Sequence, residues 1–198
     1  MLASSSPRRL ELLTAWGYVF RTVVTEVDES IAGVTDPPEN ACRLAEWKAA
    51  AGAELWRTLG GDPADVVIGA DTTVVLDDQI FGKPQDPQDA ARMLALLSGR
   101  RHRVLTGVAI CRLNGEKKTE VVESDVYFNH LTSEMISAYC RTPEPLDKAG
   151  AYALQGAGGH FVSRVEGSRT NVIGLPMEFL HETLKLWGVE PRDARFSG

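Results

Sequence analysis

Hydrophobic positions recur at helical spacing in some stretches of the chain and alternate or run on in others, with Gly, Pro and Asn between them. Met1 to Ala3 reads as a very short strand. Ser6 is placed as an N-cap, Pro7 takes the first helical position, Leu10, Leu13 and Ala15 follow, and Gly17 stands where a helix would end. Phe20 to Val27 reads as extended chain. A second helix is expected after Asp36-Pro37-Pro38, with Leu44, Trp47, Ala51 and Leu55 as one apolar stripe. Val66 to Leu76 is too rich in β-branched residues for a helix and reads as a strand buried on both faces. Asp86 as cap, Pro87 at the first position and Gly99 as stop frame a third helix.

Arg103 to Arg112 and Lys118 to Phe128 read as two strands joined around Asn114-Gly115, a dipeptide suited to a tight hairpin. A helix over Thr132 to Tyr139 is expected next, then short strands at Ala151 to Leu154 and Phe161 to Val165. A last amphipathic helix spans Pro176 to Trp187, with Gly188 as its stop, and residues 191–198 are polar and expected to fray. Helices and strands interleave, yet hairpins are present. The pattern therefore predicts an α/β (α+β) fold with a mixed twisted sheet and flanking helices. The length of 198 residues suits one domain over 1–198, with room for two lobes.

Composition narrows the function classes. No apolar run reaches the length of a membrane span, and the start has no basic and apolar leader pattern. Cys42, Cys111 and Cys140 are odd in number and far apart, which fits a reducing cytoplasm better than a disulfide framework. The formal net charge is −6, so a general nucleic-acid binder is not expected. A small polyanion can still bind where a few cations converge.

Several residues carry chemistry. Ser4-Ser5-Ser6-Pro7-Arg8-Arg9 sets hydroxyls, backbone N–H groups and two guanidiniums at one helix N-terminus. Arginine opposes the helix dipole there, so the pair reads either as an anion site or as a solvated first turn. Asp71 is a carboxylate inside an apolar strand, and burying it unpaired costs several kcal/mol. It is expected to be paired, metal-bound, facing a cleft, or hydrogen-bonded to Thr72 or Thr73. Lys48 lies on the apolar face of the second helix, where it can snorkel or reach a phosphate. Lys83, in Phe81-Gly82-Lys83-Pro84, reads as a turn lysine or a phosphate ligand. Asp28-Glu29 is either a solvated acidic pair or part of a magnesium site, since Mg²⁺ takes one or two carboxylates with phosphate oxygens and water. In Asp147 to Gly156, small residues flank Tyr152 and the amide of Gln155 can read the edge of a base. His102, His130, His160 and His181 have no metal spacing and read as structural or surface residues.

Taken in order, these segments resemble the Maf family of nucleoside triphosphate pyrophosphatases. The matching pieces are Ala3 to Arg9, Glu11-Leu12-Leu13, Asp28-Glu29, Lys48-Ala49, Gly69-Ala70-Asp71-Thr72, Gly82-Lys83-Pro84, Ser98-Gly99 with His102 to Gly107, Asp147 to Gly156 and Asn171 to Pro176. The resemblance implies two lobes around a cleft, as in ITPase-like house-cleaning enzymes, and cleavage between the α and β phosphates with a divalent cation, Mg²⁺ or Mn²⁺. It implies that Asp71 and Glu29 are the catalytic and metal-binding carboxylates. It implies that Ser4, Arg8, Arg9, Lys48 and Lys83 hold the triphosphate and that Gln155 reads the base. Arg9 and Gln155 fit the branch acting on dTTP and UTP. A homodimer is a further expectation from the family. Three other readings stand beside this one: a 7-methyl-GTP or purine-directed pyrophosphatase, a nucleotide-binding regulator of septum formation, and a structural or RNA-binding domain.

Overall fold

The computed structural model describes residues 1–25, 27 and 36–192; Asp28-Glu29 and the tail from 193 lie outside the described residues. The strands are β1 (Leu2–Ala3), β2 (Thr22–Val23), β3 (Val66–Leu76), β4 (Gln79–Phe81), β5 (Arg101–Arg112), β6 (Lys117–Phe128) and β7 (Val162–Glu166). The helices are α1 (Pro7–Ala15), α2 (Pro37–Thr58), α3 (Pro87–Leu97), α4 (Ser133–Cys140), α5 (Arg169–Ile173) and α6 (Met177–Leu186). The strands form one mixed sheet of order β2-β1-β3-β5-β6-β7, with β4 paired to β3. β1 runs parallel to both β2 and β3, whereas β4 is antiparallel to β3 and β7 antiparallel to β6. This is the expected mixed α/β architecture.

The chain divides into two compact units, to both of which β3, β5 and β6 contribute residues. The first comprises residues 1–71, 106–122 and 174–198. Here α2 covers β1 and β3, and of the stripe expected from sequence only Leu44 is buried, Trp47 and Ala51 being half-buried. Its buried face is Ala41, Leu44, Ala45, Ala49, Gly52 and Ala53, and Leu55 is 39% exposed. The cause is how closely the helix approaches the sheet. A Cβ at Gly69 would run into the Ala45 carbonyl oxygen, one at Gly107 into that of Ala41, and one at Gly52 would lie 2.6 Å from Ala3 Cβ. Small residues form the closest part of the seam, with Leu44 buried at its side, while Leu55 is turned outwards. Asp36 caps the helix by accepting from the Glu39 N–H at 3.1 Å.

The second unit comprises residues 72–105 and 123–173. Its core joins Phe81, Leu94, Leu97, Val126, Phe128, Tyr152 and Phe161, with aromatic rings meeting edge to face. α3 starts where expected, with the Asp86 carboxylate accepting from the Asp89 N–H at 2.7 Å. An unexpected two-residue hairpin joins β3 to β4 through Asp77 and Asp78, both with positive φ. The strand expected at Ala151 to Leu154 is absent: Gly150 and Ala151 both have positive φ, and this segment runs as a short 3-10 turn followed by irregular chain. α5 was not expected either. No helix of the described residues is long and apolar enough to cross a membrane.

Candidate active site

β1 and β3 position the first half of the site. The parallel register pairs Ala3 with Gly69, so β1 ends level with Gly69 while β3 continues through Asp71. Ser4 leaves β1 one step before the level of Asp71, and the chain turns at once into α1. Ligand sites in such sheets form beyond the carboxyl ends of parallel strands.

Asp71 is only 8% exposed. Its Oδ1 accepts a hydrogen bond from Lys48 Nζ at 2.6 Å. Lys48 reaches it because the neighbouring Ala49 of α2 lies against Gly69, two residues from Asp71. Of the alternatives open in the sequence, a charged partner is thus the one observed. The lysine takes the phosphate-facing option only in so far as a phosphate comes to the same place, since its ammonium already neutralises Asp71.

The start of α1 holds the next groups. Ser6 makes no side-chain cap and no acidic residue stands in the first turn. Instead Ser4 Oγ accepts from the Ser6 N–H at 3.2 Å and from Arg9 Nη1 at 3.1 Å. Arg9 is 9% exposed, and its Nε donates to the Gly174 carbonyl at 2.7 Å. Gly174 has a φ of 126°, which favours glycine and sets that carbonyl. The guanidinium is therefore fixed by the loop before α6, a contact 165 residues away in sequence that no local pattern announces. Arg8 stands beside it, half-buried. Ser4, Arg8, Arg9, Lys48 and Asp71 all belong to the first unit.

Lys83 and Gln155 belong to the second unit, and both are exposed. Gln155 sits in a turn closed by the Gly156 N–H donating to the Ala153 carbonyl at 3.3 Å. The sequence reading missed how this turn is held. Glu144 accepts from the N–H groups of Ala157 and Gly158 and from the Tyr139 hydroxyl, at 3.0, 3.1 and 3.0 Å. The only signal was the density of glycines after Gln155. His102 is buried, and its Nε2 lies 2.8 Å from the Tyr152 hydroxyl. Burial brings its pKa down from 6.5 to about 4, with Asp125 opposing. It is a neutral structural histidine, as its sequence context suggested.

The described residues include no group of three or more His, Cys, Asp or Glu placed to hold a metal. An all-protein cage is thus absent among them. Mg²⁺ or Mn²⁺ held by one carboxylate together with substrate phosphate oxygens and water needs no such cage, and the sheltered Asp71 suits that donor set. Glu29 lies outside the described residues.

The family profile described as Maf-like protein matches residues 1–187. The chain belongs to the Maf family. A Maf relative named dTTP/UTP pyrophosphatase, from Desulfitobacterium hafniense strain Y51, is 48% identical over 189 residues, covering 96% of this chain and 85% of its own. Proteins of the same name from Shewanella denitrificans and Vibrio cholerae are 49% and 48% identical, covering 89% and 94% of this chain and 90% and 95% of their own. A crystal structure of a nucleoside-triphosphatase, dITP/XTP pyrophosphatase, from Mycobacterium abscessus is a distant likeness, with a TM-score of 0.42 and 15% identity over 96% of each chain.

Proposed function

We propose that this Maf protein hydrolyses dTTP and UTP between the α and β phosphates, giving the nucleoside monophosphate and pyrophosphate. The observation that carries the reading is the sheltered Lys48–Asp71 pair, its carboxylate on β3 just beyond the level at which β1 ends, in the unit that also carries the cationic start of α1. Burying a carboxylate and an ammonium is costly, and for stability alone an apolar pair serves as well or better. Retaining both in the unit that also holds Arg8 and Arg9 suits chemistry on a polyanion. The shared name of relatives nearly half identical over almost the whole chain supports the substrate class.

In this reading Asp71 accepts the proton of the attacking water, which adds in line at the α-phosphorus. Lys48 donates to a phosphate oxygen as the negative charge approaches. Arg9, held rigid by Ser4 and the Gly174 carbonyl, and Arg8 neutralise the phosphates, with the N-terminal end of α1 adding its dipole. A divalent cation, held by Asp71 with Glu29, would supply charge neutralisation and a more acidic water. Lys83 as a phosphate contact and Gln155 as base reader rest on the family resemblance.

The test is pyrophosphate release from a panel of nucleoside triphosphates, with and without Mg²⁺ or Mn²⁺. Metal-dependent release favouring dTTP and UTP is expected. Release favouring a purine or 7-methyl-GTP would keep the chemistry and discard the pyrimidine assignment. Binding without release from any substrate would leave a regulatory binder in its place.

A further inference from the structure

Outside the Asp71 site, a network of polar groups surrounds Glu144. Its carboxylate accepts three hydrogen bonds, from the Ala157 N–H, the Gly158 N–H and the Tyr139 hydroxyl. The two N–H donors lie 13 and 14 residues downstream, just past Gln155. The fit is close as well as polar. A Cβ at Gly156 would run into Glu144 Oε1, and one at Gly158 would lie 2.8 Å from the Tyr139 hydroxyl. Lys148 Nζ donates to the Glu144 backbone carbonyl at 2.6 Å, which fastens the glutamate's own main chain.

The ionisation state agrees with the geometry. Burial would push the Glu144 carboxyl up, but the N–H groups of Gly158 and Ala157, the Tyr139 hydroxyl and the nearby Lys148 charge outweigh it and hold the group below the usual glutamate range. Burial and the hydrogen bond to Glu144 push the Tyr139 phenol up, so it remains a donor. A carboxylate that is ionised at neutral pH and clamps two successive N–H groups makes charge-assisted bonds, the stronger class. What it clamps is the chain that follows an exposed glutamine.

We infer that Glu144 is a positioning residue that fixes the Gln155 turn through the backbone of Ala157 and Gly158 and thereby sets the enzyme's preference among bases. The inference rests on Gln155 being the base reader. Reading a base edge needs the amide held within a few tenths of an ångström, and an exposed side chain on an unfastened turn would lose that precision to motion. Glu144 touches no phosphate in this scheme, so its effect belongs to base choice and not to the chemical step.

The experiment measures kcat/KM for UTP and for GTP in the wild type, Glu144→Gln, Gln155→Ala and the double variant. Inhibition by pyrophosphate is followed alongside, as is amide exchange at Ala157 and Gly158. The preference for UTP is expected to fall about tenfold in each single variant and no further in the double, because residues acting as one unit are not additive. The inhibition constant for pyrophosphate is expected to stay at its wild-type value in Glu144→Gln, and the two amides to exchange faster. If Gln155→Ala loses the preference while Glu144→Gln keeps it, the positioning role is overturned and the reading of Gln155 stands. If Gln155→Ala keeps the preference, the base-reading assignment fails and takes this inference with it. Losses that add in the double variant would also overturn it. Should Glu144→Gln not fold, Tyr139→Phe keeps the carboxylate, removes one of its donors and is expected to lower the preference about threefold; an unchanged preference in that variant would overturn the inference.

Discussion

At the scale of single residues, the pair Lys48–Asp71 concentrates the account. Asp71 was visible in the sequence because a carboxylate inside an apolar strand demands an explanation. Its partner was not, since Lys48 lies 23 residues earlier on a helix and nothing local joins the two. Asp71→Asn keeps the shape and removes the acceptor of the proton. It is expected to lower kcat by about 10²-fold or more, with the circular dichroism spectrum unchanged. Unaltered turnover would sink the assignment. Lys48→Met leaves a sheltered carboxylate without its cation. We expect a lower melting temperature, by about 3 kcal/mol of stability, together with a raised KM. The arginine pair was also legible, from its awkward place at a helix start. That Arg9 is gripped by the Gly174 carbonyl was not, because the contact depends on how the loop before α6 folds back.

At the scale of elements, the long strand β3 and the capped helices followed directly from composition and punctuation. Val66–Leu76 is the strand expected, and Asp36 and Asp86 cap α2 and α3 by the hydrogen bonds that such residues make. What misled was contact distance. Leu44, Trp47, Ala51 and Leu55 were read as the buried face of α2, yet only Leu44 of them is buried and the helix lies on Gly69 and Gly107 through Ala41, Ala45 and Ala49. The period was right and the phase was shifted, with Leu44 common to both faces, since the glycines that set the phase stand on other elements. Gly69→Ala therefore places a methyl group against the α2 backbone and pushes it from β3. A loss of about 2 kcal/mol is expected in denaturant titration. Because Lys48 adjoins this seam, activity should fall further than stability does. The β3–β4 turn escaped notice because Asp77-Asp78 replaces the usual Asn-Gly, the positive φ values being accepted with salt bridges from Arg100 and Arg103. The failed strand at Ala151 to Leu154 is the reverse case. Its composition suits a strand, but the left-handed Gly150 and Ala151 turn the chain under Tyr152.

At the scale of the whole molecule, the mixed sheet and family membership were both legible, because ordered motifs along the chain constrain each other more than any one of them does. Tertiary burial adds a pH dependence that sequence could not show. His102 is 1% exposed and wedged between Phe128 and Tyr152. Its folded pKa of about 4 lies below its ordinary 6.5. Between those values the unfolded chain binds more protons than the folded one, so acid favours unfolding. This contribution to stability is complete above pH 6.5 and falls by about 3 kcal/mol as the pH drops to about 4. Urea midpoints at pH 7 and pH 4.5 measure it, and His102→Gln should flatten the difference. An equal drop in that variant would place the acid sensitivity elsewhere.

The central claim is that water attacks the α-phosphorus under the direction of Asp71. Hydrolysis of UTP with Mg²⁺ in ¹⁸O-water, followed by mass spectrometry of the products, tests it most directly. The label is predicted in UMP, with unlabelled pyrophosphate, and neither product is expected to form at an appreciable rate with Asp71→Asn. Label in pyrophosphate or in free phosphate, or UMP formed as fast by the variant, would contradict the account.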